Sequence, residues 1–201
     1  MVAQPNPRGS TGYGDELLAG IWGNSWGTGC YQDVMAVADA LAARPEVDAD
    51  RMAAMGGSFG GYMANWIGCN DARFRCLVTH AGVYEFHAFN NVTDTPAWMP
   101  HMIGFGPWED AEAWVACSPH RKVSQWRTPT LIVHGEKDYR VPISEALALF
   151  EALQRLEVPS EMLIFPDENH WILKPRNTIA WYERVLDFVG RHTAARMPSG
   201  A

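Results

Sequence analysis

The sequence predicts an α/β domain with a largely parallel sheet, and three observations carry that reading. Short β-like runs alternate with stretches of helical periodicity along most of the chain. The run 130–134 (TLIVH) is apolar throughout, as a strand covered on both faces requires. The run 51–57 ends in two glycines and passes straight into a helical stretch, which marks a strand–turn–helix unit.

Taken in order, Met1-Val2-Ala3-Gln4 followed by Pro5, Pro7, Gly9, Gly12 and Gly14 reads as the end of a strand running into a long loop. Residues 31–44 carry Val34, Val37, Ala38 and Leu41 at helical spacing, with Asp33 and Asp39 off that stripe. A short strand over 51–57, a helix over 59–69 and a second strand over 76–80 follow. Residues 84–125 are rich in Trp, Pro, Gly and His with weak periodicity, and read as an irregular, cap-like excursion. After the TLIVH strand, Ser144 is the expected N-cap of a helix with Leu147, Phe150, Leu153 and Leu156 on one face. A strand over 161–165 and a helix over 177–189 close one domain, residues 1–192, with 193–201 expected to be a disordered tail.

Composition narrows the function classes. The 201 residues are 47% hydrophobic and 19% charged, which is globular. A net charge of −7 argues against nucleic acid or an anionic membrane as partner. There is no apolar run of about 20 residues and no basic-then-apolar stretch after Met1. Cys30, Cys69, Cys76 and Cys117 lack CxxC spacing; Cys69 and Cys76 could pair, but buried free thiols in a cytoplasmic protein are the preferred reading. The histidines show neither HxH nor HExxH spacing, so neither metal nor cofactor is expected.

Chemistry concentrates in three segments. Gly56-Gly57-Ser58-Phe59-Gly60-Gly61 matches G-x-S-x-G between a predicted strand and a predicted helix, the context in which a strained turn lifts a serine clear of a sheet. The helix that starts there directs backbone N–H groups at the site, making the Phe59 N–H an oxyanion-donor candidate. Gly135-Glu136-Lys137-Asp138-Tyr139-Arg140-Val141 puts an acid beyond the TLIVH strand, and Pro166-Asp167-Glu168-Asn169-His170-Trp171 puts a histidine beyond the next. Strand ends of this kind are where open α/β sheets assemble sites. The order Ser58, Asp138, His170 is that of α/β-hydrolases, with His170 as base and Asp138 fixing its tautomer. Glu136 and Asp167 are competing acids, the latter only three residues from His170. His134 is read as satisfying a strand-end hydrogen bond.

NPRGSTGYG, GGSFGGYM, HGEKDYRVP and FPDENHWILKP together resemble the catalytic domain of the prolyl oligopeptidase family of serine peptidases, in its acylaminoacyl-peptidase and dipeptidyl-peptidase V branch. The resemblance implies an α/β-hydrolase fold, a Ser58-His170-Asp138 triad, and hydrolysis of short peptides or acylated N-termini. It implies an apolar pocket lined by Phe59, Val83, Phe86, Phe89 and Val141, against ordinary core packing for the same side chains. It also offers Arg140 for a substrate carbonyl, and Tyr62 and Trp171 as supports. A β-propeller, the first strands of the sheet and an HGG-like oxyanion stretch belong to the family and are not recognisable in these 201 residues. The sequence therefore reads as an N-terminally truncated catalytic domain, with 2–4 as the fourth strand of the family's sheet and 51–57 as the fifth. Without the third strand between them, the expectation is a bare sheet edge at 51–57 and association with another copy through it. A small esterase of the same fold, or an inactive fragment acting only in association, are the alternatives.

Overall fold

A computed structural model of the chain describes residues 1–23 and 25–194. Its centre is one parallel sheet of β1 (Ala53–Gly57), β2 (Cys76–His80), β3 (Thr130–Gly135) and β4 (Ser160–Phe165), in the spatial order of the sequence. Around it lie α1 (Asp15–Ala19), α2 (Tyr31–Ala42), α3 (Phe59–Asn70), α4 (Phe86–Val92), α5 (Trp98–Ile103), α6 (Ala111–Trp114), α7 (Ser144–Arg155) and α8 (Pro175–Thr193).

Alternation along the central strands builds a core on each face. Leu77 and Ile132 point into the larger cluster, with α2, α3 and α7. Cys76, Val78, Leu131 and Val133 point the other way, against Val185 and Phe188 of α8. Both faces being apolar explains why TLIVH shows no polar alternation. The excursion over 84–125 is a run of short helices whose Phe86, Phe89, Met99, Ile103 and Trp114 belong to the larger core. All four cysteines are buried, none of them in a disulfide. Burial pushes the Cys30 and Cys69 thiols up to about 12 and Cys76 to about 11, so none supplies a thiolate near neutral pH.

Four expectations are corrected. Residues 2–4 form no strand: the segment is irregular and Val2 is 87% exposed, because a strand needs a neighbour to take up its N–H and C=O groups and no described residue provides one. The chain is fastened a little later, where the Arg8 guanidinium grips Asp33 of α2 with contacts of 2.7 and 2.8 Å. Ser144 opens α7 from inside and makes no cap; Ile143 holds the N-cap position. The buried face of α7 is Glu145, Ala146, Leu149 and Leu153, leaving Leu147 and Leu156 47% and 38% exposed. Helix α8 extends beyond 177–189 at both ends, taking in Thr193 of the expected tail; residues 195–201 lie outside the described residues.

Among the described residues β1 is an edge strand that pairs with β2 alone, and Met55 at its middle is 54% exposed. That edge matches the expectation for 51–57. No helix among the described residues is long and apolar enough to cross a membrane.

Helix α8 packs Val185 and Phe188 against one face of the sheet, so its buried and exposed residues should respond differently to truncation. Phe188→Ala, at a position 1% exposed, is expected to cost about 3–5 kcal/mol in urea unfolding. Leu186→Ala, at a position 67% exposed, should stay within about 0.5 kcal/mol of the parent.

Candidate active site

The site is assembled at the C-terminal ends of β1, β3 and β4. β1 leaves the sheet at Gly57, and Ser58 takes φ 56° and ψ −118°, a strained positive-φ conformation costing about 1–3 kcal/mol for a residue with a Cβ. The strain is held locally. Ser58 donates its N–H to the His80 carbonyl at 2.8 Å, and its own carbonyl accepts from Tyr62 N–H at 2.9 Å. A Cβ on Gly56 would stand 2.4 Å from the Gly60 backbone, so this turn closes only over glycine. Phe59 is the first residue of α3, and its N–H has no carbonyl one turn earlier in the helix to bond.

Asp138 sits in the loop after β3 and is 2% exposed. Its Oδ1 accepts the N–H groups of Arg140 and Val141, each at 2.9 Å. Its Oδ2 lies 2.7 Å from His170 Nδ1, and His170 Nε2 lies 2.8 Å from Ser58 Oγ. Three residues far apart in sequence are thus hydrogen-bonded in series. Of the competing acids, Asp167 binds Lys174 and Asn177, at 2.5 and 2.8 Å, and Glu136 is exposed.

The loop bearing His170 is tied down on both sides. Lys137 N–H reaches the Glu168 carbonyl at 2.9 Å, and the buried Glu168 carboxylate accepts from Lys174 N–H and Asn177 Nδ2, both at 2.8 Å. A Cβ on Gly135 would fall 2.1 Å from the Asn169 carbonyl, so the acid and histidine loops touch backbone to backbone. Trp171 packs edge-on against the imidazole at 5.2 Å and is 59% exposed. His80, beneath the turn, has its pKa lowered to about 4 by burial and by the neighbouring His134 and His170 rings, and is neutral at neutral pH.

The expected pocket is corrected in part. Val83, Phe86, Phe89 and Val141 are each 3% exposed or less and belong to the core, so they offer a ligand no open surface. Phe59 stays partly accessible and packs against Trp26 at 4.9 Å; Trp26 in turn meets Trp98, 41% exposed, at 5.2 Å. Trp26 lies in a short π-type turn (Trp26–Cys30), where helical or strand spacing gives no warning of burial. Arg140 is engaged by Asp94 at 2.7 Å. Tyr62 is buried and donates to the Cys117 carbonyl at 2.9 Å, a supporting position.

Glu145 was not legible as a site residue. It is 1% exposed, and its Oε2 accepts the Tyr84 and Glu85 N–H groups at 2.8 and 2.7 Å, fixing the loop after β2. An acid interrupting the Ala146, Leu149, Leu153 face was the available clue. Burial pushes its carboxyl up to about 7, partly opposed by those two hydrogen bonds.

The prolyl oligopeptidase family profile matches residues 1–196. The chain belongs to that family of serine peptidases. It is 37% identical over 200 residues to a protein named probable dipeptidyl-peptidase 5 from Aspergillus terreus, covering 96% of this chain and 27% of the relative. It is also 37% identical over 197 residues to dipeptidyl-peptidase 5 of Porphyromonas gingivalis, covering 95% and 28%. Among solved structures, the uncomplexed acylaminoacyl peptidase of Pyrococcus horikoshii superposes with TM-score 0.88 at 25% identity, over 98% of this chain and 33% of that one. A puromycin-hydrolyzing peptidase of Mycobacterium tuberculosis gives TM-score 0.88 at 27% identity, over 98% and 30%. The chain therefore spans little more than a quarter of the length of the curated relatives it matches. These likenesses agree with the α/β-hydrolase fold expected from the motif order.

Two outcomes follow from this geometry. Gly135→Ala must push two backbones apart and is expected to cost about 1–3 kcal/mol by urea unfolding. Glu145 has a folded pKa above its unfolded value of about 4.3, so the fold prefers it protonated. It therefore withholds stability progressively as pH rises from about 4.3 to about 7, and by a constant amount above that. Glu145→Gln retains an acceptor oxygen without the charge. Its stability advantage over the parent should be absent near pH 4, grow to pH 7 and then level, as read from urea midpoints across pH.

Proposed function

We propose that this chain carries the catalytic centre of a serine peptidase acting through an acyl-enzyme on short peptides or acylated N-termini. The observation that carries the reading is the series Ser58 Oγ to His170 Nε2 at 2.8 Å and His170 Nδ1 to Asp138 Oδ2 at 2.7 Å. A serine hydroxyl is a weak nucleophile until a base takes its proton. His170 takes it as Ser58 Oγ attacks the scissile carbonyl. The imidazolium so formed is held by Asp138, whose carboxylate is oriented before reaction by the Arg140 and Val141 N–H groups. The tetrahedral oxyanion lies toward the start of α3, where the Phe59 N–H stabilises it. His170 then gives its proton to the leaving amine. Water repeats the sequence on the acyl-enzyme and releases the acid.

Family membership supports peptide over ester as the natural substrate, since the relatives are named as dipeptidyl and acylaminoacyl peptidases. The partly open Phe59 and Trp98 rings are the apolar surface available to a substrate side chain.

A fluorophosphonate probe is expected to label the parent chain at one serine and to leave Ser58→Ala unlabelled. The same substitution should lower kcat on a dipeptidyl or N-acyl-peptide anilide by roughly 10⁴-fold or more. Equal labelling of both proteins would remove Ser58 from the mechanism.

A further inference from the structure

His134 occupies the end of β3 and is fully buried, and the mechanism gives it no part. Its Nε2 lies 2.7 Å from the Val141 carbonyl oxygen. A carbonyl only accepts, so the proton of this contact is on Nε2; Nδ1 carries the lone pair and has no partner. Burial lowers the pKa of this imidazole, against the opposing pull of the Val141 carbonyl and Asp138. It is therefore a neutral donor. The charged and titratable groups facing it are Asp138 on the adjoining loop, His170 from the loop after β4 and the neutral His80 on β2.

A neutral donor here acts through geometry. The bond from Nε2 joins the two ends of the acid loop, residues 134–141. Val141 is the residue held: its carbonyl accepts from His134 while its N–H donates to Asp138 Oδ1 at 2.9 Å. Arg140 supplies the second donor to the same oxygen at 2.9 Å. With Oδ1 occupied by two amides, the carboxylate cannot rotate without losing both, and Oδ2 stays toward His170. The His134 Nε2 is itself 3.5 Å from that Oδ2, too far for a good hydrogen bond but near enough to direct its dipole there.

We propose that His134 is a positioning residue, which clamps the Val141 carbonyl so that the Asp138 carboxylate is presented to His170 in one orientation. The inference rests on the triad reading above, and its test reads the Asp138–His170 bond separately from turnover. In the full chain, a strongly downfield proton resonance from His170 Nδ1–H is expected by NMR. His134→Leu, of similar bulk but without a donor, should lose or shift that resonance and lower kcat about 10- to 1,000-fold with KM little changed. His134→Gln, whose amide reaches about as far as Nε2, should restore the resonance and most of kcat. If His134→Leu does not fold, the more adaptable His134→Met makes the same comparison. An unshifted resonance in a folded Leu or Met variant overturns the proposal, as does failure of Gln to restore it. Absence of Ser58 labelling in the parent would count against the acyl-enzyme reading alone, because the resonance requires no reaction.

Discussion

The hydrogen-bond ladder between β3 and β4 continues past the strands, and the site depends on that continuation. Register pairs Gly135 with Phe165, the last residues of the two strands. Beyond them Glu136 N–H still reaches the Phe165 carbonyl at 2.9 Å and Lys137 N–H the Glu168 carbonyl at 2.9 Å. The acid loop and the histidine loop therefore leave the sheet as a pair, with Gly135 pressed against Asn169. A catalytic geometry good to fractions of an ångström needs its supports fixed to something rigid. Here the support of Asp138 and that of His170 are the same backbone ladder, so their separation is set before either side chain chooses a rotamer.

The other half of the geometry, Ser58 to His170, spans the sheet from β1 to β4. No ladder joins these two strands directly. What joins them is β2 and β3, both buried on two faces, and a sheet of this kind transmits position because its interior is close-packed. That is why the apolar residues of β2 and β3, Leu77, Val78, Leu131, Ile132 and Val133, which carry no reacting group, belong to any account of the site.

The parts of this arrangement legible in sequence were those governed by local chemistry. Strand–glycine–serine–glycine–helix announces a strained turn because few residue sets allow one, and TLIVH announces a two-sided strand. Loops after two further strands then had only a few acids and one histidine to offer. The illegible parts were those decided by tertiary partners. Residues 2–4 have β-like composition but no neighbour, so they stay irregular. Counting apolar residues along α7 favours Leu147 and Leu156, whereas the buried face runs through Glu145, which reaches the Tyr84 and Glu85 amides, and Ala146, Leu149 and Leu153. No periodicity rule places a carboxylate on a buried face. The same blindness put Val83, Phe86, Phe89 and Val141 in a pocket, since an apolar residue near a site looks alike whether it lines a cleft or the core beneath it.

One consequence concerns where the strain at Ser58 is balanced. Among the described residues β1 has a neighbour on one side only, and its sequence, AAMGG, is mostly of small side chains with weak β propensity. An edge strand of this composition has little capacity to hold a serine at positive φ by itself. The retaining contacts come instead from the β2 side and from α3: the His80 carbonyl on the Ser58 amide, and the Ser58 carbonyl on Tyr62 N–H. Tyr62 is anchored through its hydroxyl to Cys117, and so to the segment leading out of α6. The conformation of the serine is thus stabilised by the short helices between β2 and β3, a stretch with weak periodicity in sequence. Packing of that stretch, more than completion of the sheet edge, sets how firmly Ser58 is held.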